Sequence, residues 1–161
     1  EPFVPTLVVN VYANRFSTEN KSMFHFYNDT GSLVTESLMS VEINPEVHYF
    51  DLINMKEVAV SKEGTVGTTM APDTAACIAQ LPRLLTGEII NNELVISFTG
   101  TQPLGGNLAL KLLDANRNLI CERDNVSGSV TIPLQKYSSG SFSVKVLRDG
   151  ILLDAIEVAR H

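Results

Sequence analysis

The chain reads as an all-β protein, an immunoglobulin-like β-sandwich arranged as two tandem units. Three observations predict this. Short apolar runs of four to eight residues recur between Gly-, Asn- and Pro-rich punctuation, and no stretch sustains a long helical period. Trp is absent and aromatic residues make up 7% of the chain, so its cores must be built mainly from Val, Ile and Leu. A hairpin-like pattern also occurs twice. Residues 24–36 and 110–122 each hold an apolar run, an Asn/Asp turn and a second run ending in Glu. Phe24, Phe26, Leu33 and Val34 align with Leu110, Leu112, Leu119 and Ile120 at a constant offset, as expected of two related β units.

Residues 7–12 are rich in β-branched side chains and predict a strand; the polar stretch Asn14 to Lys21 predicts a loop. Residues 22–28 and 32–39 predict the first hairpin, turning through Asn28-Asp29-Thr30-Gly31, where Gly31 can supply a positive φ. Val41-Glu42-Ile43 alternates before the turn at Asn44-Pro45. The runs 47–53 and 56–61 predict two strands joined near Asn54. From Lys62 to Ala76 large apolar groups are few and Gly, Thr and Pro are frequent, which predicts a linker, with a short helix over Ala75 to Leu85 interrupted at Pro82.

Beyond Leu85 the strand signals sharpen. Leu94–Phe98 predicts a strand, Gly100–Gly106 a loop, and 107–113 with 118–123 the second hairpin. Ser129–Leu134 predicts another strand. Phe142, Val144 and Val146 alternate strictly with Ser141, Ser143 and Lys145, which places the first set in a core. Asp149-Gly150 is a two-residue hairpin signal between Val144–Arg148 and Ile151–Val158. The expected domains are therefore 1-62 as an N-terminal β-sandwich unit, 63-84 as a linker, and 85-161 as a C-terminal immunoglobulin-like sandwich.

Composition bounds the function. With 161 residues, 44% hydrophobic and 19% charged, this is an ordinary globular chain. A net charge of −6 and no run of Lys or Arg exclude nucleic acid as a partner. No segment is long and apolar enough to span a membrane. Cys77 and Cys121 lack the spacing of a zinc or redox motif; a bridge between them would need an oxidising compartment. The chain opens Glu-Pro-Phe-Val-Pro without an initiator Met, as a trimmed secreted protein does.

The stretches Leu94–Phe98, Leu110–Ile120 and Gly140–Val146 carry a resemblance. From Gly87 to Arg160 the chain resembles the small β-sandwich domains common in secreted proteins of Bacteroidetes, among them uncharacterised short exported proteins and the C-terminal sorting domains of type IX secretion. Their pattern is a strand, then a strand–Asp-x-x-Gly–strand hairpin, then Gly-x-Tyr-x-Val-x-Val. Arg117 stands where that pattern has Gly, and Phe142 where it has Tyr. The resemblance implies export and no catalytic activity, and it transfers no functional residues.

A search for chemistry returns little. His25 lies between Phe24 and Phe26 and is expected on a solvent face; His48 beside Tyr49 reads as a strand residue, and His161 is terminal. No Gly-x-Ser-x-Gly elbow exists. Asp114, Asn116 and Asn118 faintly resemble a calcium loop, but the downstream Gly and bidentate Glu are missing, so a polar turn is expected. Gly105-Gly106 precedes a strand and not a helix, unlike a phosphate cradle. Glu36 and Glu122 occupy matching repeat positions and read as strand-end residues. Tyr12, Tyr27, Tyr49 and Tyr137 are scattered; exposed aromatics on one sheet face would favour sugar binding. Asn20, Asn28 and Asn125 begin sequons, and Asp73-Thr74-Ala75 matches an O-glycosylation pattern of Bacteroidetes.

The expected function is a non-catalytic module, secreted, periplasmic or on the cell surface, that binds, anchors or scaffolds through contact with a protein or glycan. The expected contact surface is an open strand edge. No catalytic residue, metal ligand or cofactor is expected. The alternatives are an accessory carbohydrate-binding domain of a secreted hydrolase and a secretion sorting domain.

Overall fold

The computed structural model describes residues 1–18, 20–99 and 107–160, and among these every regular element is a strand. The chain divides into two compact units, Glu1–Pro82 and Arg83–His161.

The first unit contains β1 (Val11–Ser17), β2 (Ser22–Asn28), β3 (Met39–Ser40), β4 (Val47–Asp51), β5 (Lys56–Val58), β6 (Thr65–Val66) and β7 (Ala75–Pro82). Five of them form an antiparallel sheet in the order β1-β2-β7-β4-β5. The inner face follows the period of two: Val11 and Ala13 on β1, Phe24 and Phe26 on β2, Ala76 and Ile78 on β7, Tyr49 on β4 and Val58 on β5 are all buried. A second, thinner layer covers them. Its pieces are the β3–β6 pair and a single bridge from Val34 to Met70, which bring Val34, Leu38, Met39, Val66 and Met70 onto that face.

Several expectations are corrected here. The segment 63-84 is no linker, and the first unit does not stop at residue 62. Residues Ala75–Pro82, expected to hold a short helix, form β7, which pairs with both β2 and β4 at the middle of the sheet. Small side chains such as Ala76 and Ala79 look like linker composition, yet they suit a strand buried on both faces. Pro82 ends the strand, where a missing N–H costs no ladder bond. The polar run from Asn14 is likewise strand as far as Ser17, because Arg15 finds partners at its inner position: Nε donates to Ser17 Oγ at 2.9 Å, and the guanidinium lies 5.7 Å from the centre of the Phe24 ring.

The first hairpin does not form, so the two repeats are not structurally equivalent. Both edges of β2 are taken, by β1 and β7. Fully buried Asn28 then redirects the chain. Its Oδ1 accepts from Thr30 N–H and the Thr30 hydroxyl, and its Nδ2 donates to the carbonyls of Ser32, Met70 and Ala71. Residues 32–34 are thereby drawn toward 70–71 instead of back along β2.

The second unit contains β8 (Leu85–Ile90), β9 (Glu93–Phe98), β10 (Leu108–Asp114), β11 (Leu119–Asp124), β12 (Val130–Pro133), β13 (Ser141–Arg148) and β14 (Ile151–Ala159). They form a four-stranded sheet, β11-β10-β13-β14, and a three-stranded sheet, β12-β9-β8. Between the sheets lies one core of Leu, Ile and Val with Phe142. Phe142, Val144 and Val146 are fully buried, as the alternation predicts. Each such side chain contributes about 1.5–3 kcal/mol relative to exposure. Ser143, expected outward, is buried as well.

Two features hold the sheets close. A Cβ on Gly87 would lie 2.7 Å from Val158 and 2.9 Å from Ile156, so only glycine permits this approach. Asp154, fully buried on β14, accepts the N–H groups of Leu84 and Leu85 at 2.8 Å each, tying the start of β8 to β14. The expected Asp149-Gly150 turn closes β13 onto β14, with φ of 50° and 80°. Asn91-Asn92 closes β8 onto β9 in the same way, with φ of 50° and 63°.

Candidate functional site

The outward positions of β1 and β2 form three rungs. Antiparallel register places Tyr12 opposite Tyr27, Asn14 opposite His25, and Phe16 opposite Met23. Side chains so placed stand about 5 Å apart at Cβ. The rings remain in solvent: Tyr12 is 45% exposed, Tyr27 42% and Phe16 58%. The next strand inward, β7, carries Ala75 beside Tyr27, Cys77 beside His25 and Ala79 beside Met23. Ala75 is exposed and Cys77 half-buried while Ala79 is covered, so the Tyr12–Tyr27 end of this shelf stands clearest, with a polar rung between two apolar ones. Asn14 is held in place, because its Oδ1 accepts the N–H of Phe3 at 3.2 Å. His25 is exposed here, on the solvent face that alternation predicts.

A groove of about 520 Å³ opens on the inner side of the same sheet, bounded by residues 4–7 and 39–42. Tyr49, Gln80, Arg15 and Glu42 supply its polar lining and Phe24 and Met39 its apolar wall. Burial pushes the Tyr49 hydroxyl up from its ordinary value; the charge of Arg15 opposes this and that of Glu42 adds to it. The phenol is therefore a neutral donor at physiological pH.

The second unit offers a shallower hollow of about 390 Å³ lined by Asn92, Lys136, Tyr137 and Arg160. Arg160 works as a brace there. It donates to the carbonyls of Tyr137 and Leu134 at 3.1 and 3.3 Å and lies 5.7 Å from the Phe142 ring centre. Lys145 faces the other side of its sheet, opposite Lys111, which pairs with Glu122 at 3.1 Å. Burial, then the charges of Lys111 and Arg117, pull the Lys145 ammonium below its ordinary range.

The other residues singled out by sequence disperse. His48 is buried on β4, its Nδ1 3.4 Å from Glu57 Oε1. Asp114 spends its carboxylate on the turn: Oδ1 accepts from the N–H of Asn116 and Asn118, and Oδ2 from the Asn118 amide. Glu36 and Glu122 are exposed, in different units. Asn28 is fully buried and saturated with hydrogen bonds, so its sequon offers no acceptor. Cys77 and Cys121 are free thiols, and burial followed by the Asp51 charge pushes Cys77 up. His161, Gly105 and Gly106 lie outside the described residues.

The edges of β1, β5, β11 and β12 are guarded; β8 and β14 are the other outer strands of the larger sheets. Glu1 and Val4 already bond along the free edge of β1. The β5 edge is three residues long, β12 ends in Pro133, and β11 exposes Glu122, Arg123 and Asp124. Sequence reasoning noted each shelf tyrosine but missed the shelf. It placed β1 over residues 7–12, which left Phe16 in a loop and hid the register. The signal was present in the alternation Tyr12-Asn14-Phe16.

No protein-family model matches the chain, and no curated protein matches it. Among solved structures it is similar to β-glucuronidase from Ruminococcus gnavus. In the complex with uronic isofagomine at 1.3 Å resolution the TM-score is 0.32 and the identity 10%, over 93% of this chain and 38% of that one. In the complex with D-glucaro 1,5-lactone the TM-score is 0.32 and the identity 11%, with the same coverage. A further crystal structure of that enzyme gives a TM-score of 0.32 and 12% identity, over 93% of this chain and 37% of that one. The chain thus spans little more than a third of the enzyme chains it matches.

Proposed function

We propose that the chain is a non-catalytic binding module, exported or displayed at a cell surface, that holds a glycan on the outer face of β1 and β2. The observation that carries this reading is the shelf, in which exposed apolar rungs flank the polar pair Asn14–His25. A sugar ring needs the same alternation. Its C–H face lies against an aromatic ring, while its hydroxyls need donors and acceptors at the edge. From Tyr12 to Phe16 the shelf runs roughly 13 Å along the strand, enough for a short oligosaccharide. The guarded edge of β1 favours contact through its outer face over pairing with an extended partner there. The resemblance of residues 87–160 to exported Bacteroidetes domains supports export. An accessory place beside a secreted hydrolase fits the same chemistry.

The test is affinity electrophoresis through gels containing single soluble polysaccharides. At least one should retard the protein. Tyr12→Ala with Tyr27→Ala should weaken that retention at least about tenfold, and the melting curve should barely move, since both side chains are exposed. Equal retention of the double variant would sink the shelf reading. Sustained hydrolysis of aryl glycosides, abolished by Glu42→Gln, would sink the non-catalytic one.

A further inference from the structure

We infer that the groove beside Tyr49 is a second binding site, shaped for one neutral pyranose unit. The inference rests on the glycan reading but stands on different residues, on the opposite face of the sheet. Tyr49 is only 2% exposed, and among the described residues its hydroxyl makes no hydrogen bond. The hydroxyl instead opens into the groove, where water or a ligand hydroxyl can pair with it as donor and acceptor. Gln80, paired with Tyr49 across β7 and β4, also lines the groove and makes no side-chain hydrogen bond among the described residues. Arg15 is oriented by Ser17 and Ser22, which take Nε and Nη2. That leaves its Nη1 group without a hydrogen bond among the described residues.

The ligand class follows from this set. Arg15 donates, Gln80 and Tyr49 can donate and accept, and Glu42 at the rim accepts. Glu42 and Glu1, which also lines the groove, offset the Arg15 charge, so the groove does not demand an anion. An apolar ligand would leave the polar floor unpaired. Phe24 and Met39, both nearly buried, offer a wall for a C–H face. The volume of about 520 Å³ falls within the range of small-molecule sites. A pyranose presents one apolar face and a rim of hydroxyls, which matches both halves of this lining.

The experiment is an amide NMR titration of the whole chain with the methyl glycosides of glucose, galactose, mannose and N-acetylglucosamine. At least one should bind with a millimolar constant and shift the amides around Arg15, Tyr49 and Gln80. Tyr49→Phe keeps the ring and removes a hydroxyl that no protein group holds, so it should fold normally and bind roughly tenfold more weakly. Gln80→Ala should do the same. Tyr12→Ala with Tyr27→Ala should leave this binding unchanged. No saturable shift up to about 100 mM of any glycoside overturns the proposal, as does binding that survives both groove variants or maps to the β1–β2 shelf. Polysaccharide retention sensitive to Tyr12 and Tyr27 alone would leave the shelf standing and the groove rejected. The converse result would reject the shelf and keep the groove.

Discussion

Two hairpin turns, one in each unit, are built from the same parts and sit in different surroundings. Between β4 and β5, Asp51 Oδ1 accepts the N–H groups of Ile53 and Asn54, while Oδ2 accepts the Asn54 amide. Between β10 and β11, Asp114 makes the matching set with Asn116 and Asn118. Each turn also holds a non-glycine residue at positive φ, Met55 at 56° and Arg117 at 68°. The difference is depth. Asp51 is fully buried and takes a further hydrogen bond at 2.6 Å from the Thr68 hydroxyl, whereas Asp114 is only partly buried. Both carboxyls lie below their ordinary range, for reasons that differ. Burial pushes Asp51 up, and the hydrogen bonds from Asn54, Thr68 and Ile53 outweigh it. At Asp114 the Asn118 amide and N–H dominate with little burial to oppose them. One turn therefore anchors a core and the other only shapes a loop.

The largest effect should come from removing the buried anchor. Asp51→Ala strands the Thr68 hydroxyl and three N–H donors and should cost about 3 kcal/mol in a urea melt. Asp114→Ala should cost clearly less, because water replaces the lost acceptor. Equal losses would break the comparison.

Acid sharpens it further. A carboxyl held below its ordinary value of 3.8 adds stability that is fully present above that pH. The contribution fades as pH falls through the folded-state value. Wild type should therefore exceed Asp51→Asn by a constant margin near neutrality, and the gap should close in the acid limb. A gap that widens with acid would contradict the direction of the shift.

The left-handed residues should respond in opposite directions. Left-handed backbone costs a non-glycine residue about 1–2 kcal/mol. Met55 is also buried, so Met55→Gly loses more burial than it regains in strain, for a net loss of about 1 kcal/mol. Arg117 has little to lose, and Arg117→Gly should gain about 0.5 kcal/mol, the smallest of these effects. Thermal melts of both variants test the pair; a loss at Arg117 would mean that its side chain carries contacts the turn needs.

Arg117 marks a departure from the pattern the resemblance rests on. The Asp-x-x-Gly pattern expects glycine at 117, and the backbone there is the left-handed one that glycine suits. The second hairpin, the Asp149-Gly150 turn and the Phe142–Val146 core face were legible, because each depends on residues close in sequence. The first hairpin was not. Its apolar spacing matches that of 110–122, yet β2 already has two partners and Asn28 binds carbonyls more than forty residues away. β7 was read as linker and helix for a related reason: its small residues answer to crowding by neighbouring strands. The candidate site was half legible, since alternation put His25 on a solvent face but pairing alone set Tyr12 opposite Tyr27.

By itself the sequence determined the all-β class, a division into two units and the local turns, because alternation, turn chemistry and core composition act over a few residues. Tertiary structure alone decided which strands became neighbours, where the boundary at Pro82 falls, and that Tyr49, Gln80 and Arg15 face one groove. Those outcomes depend on pairings between distant strands, whose register is set by burying one face and satisfying every buried polar group together.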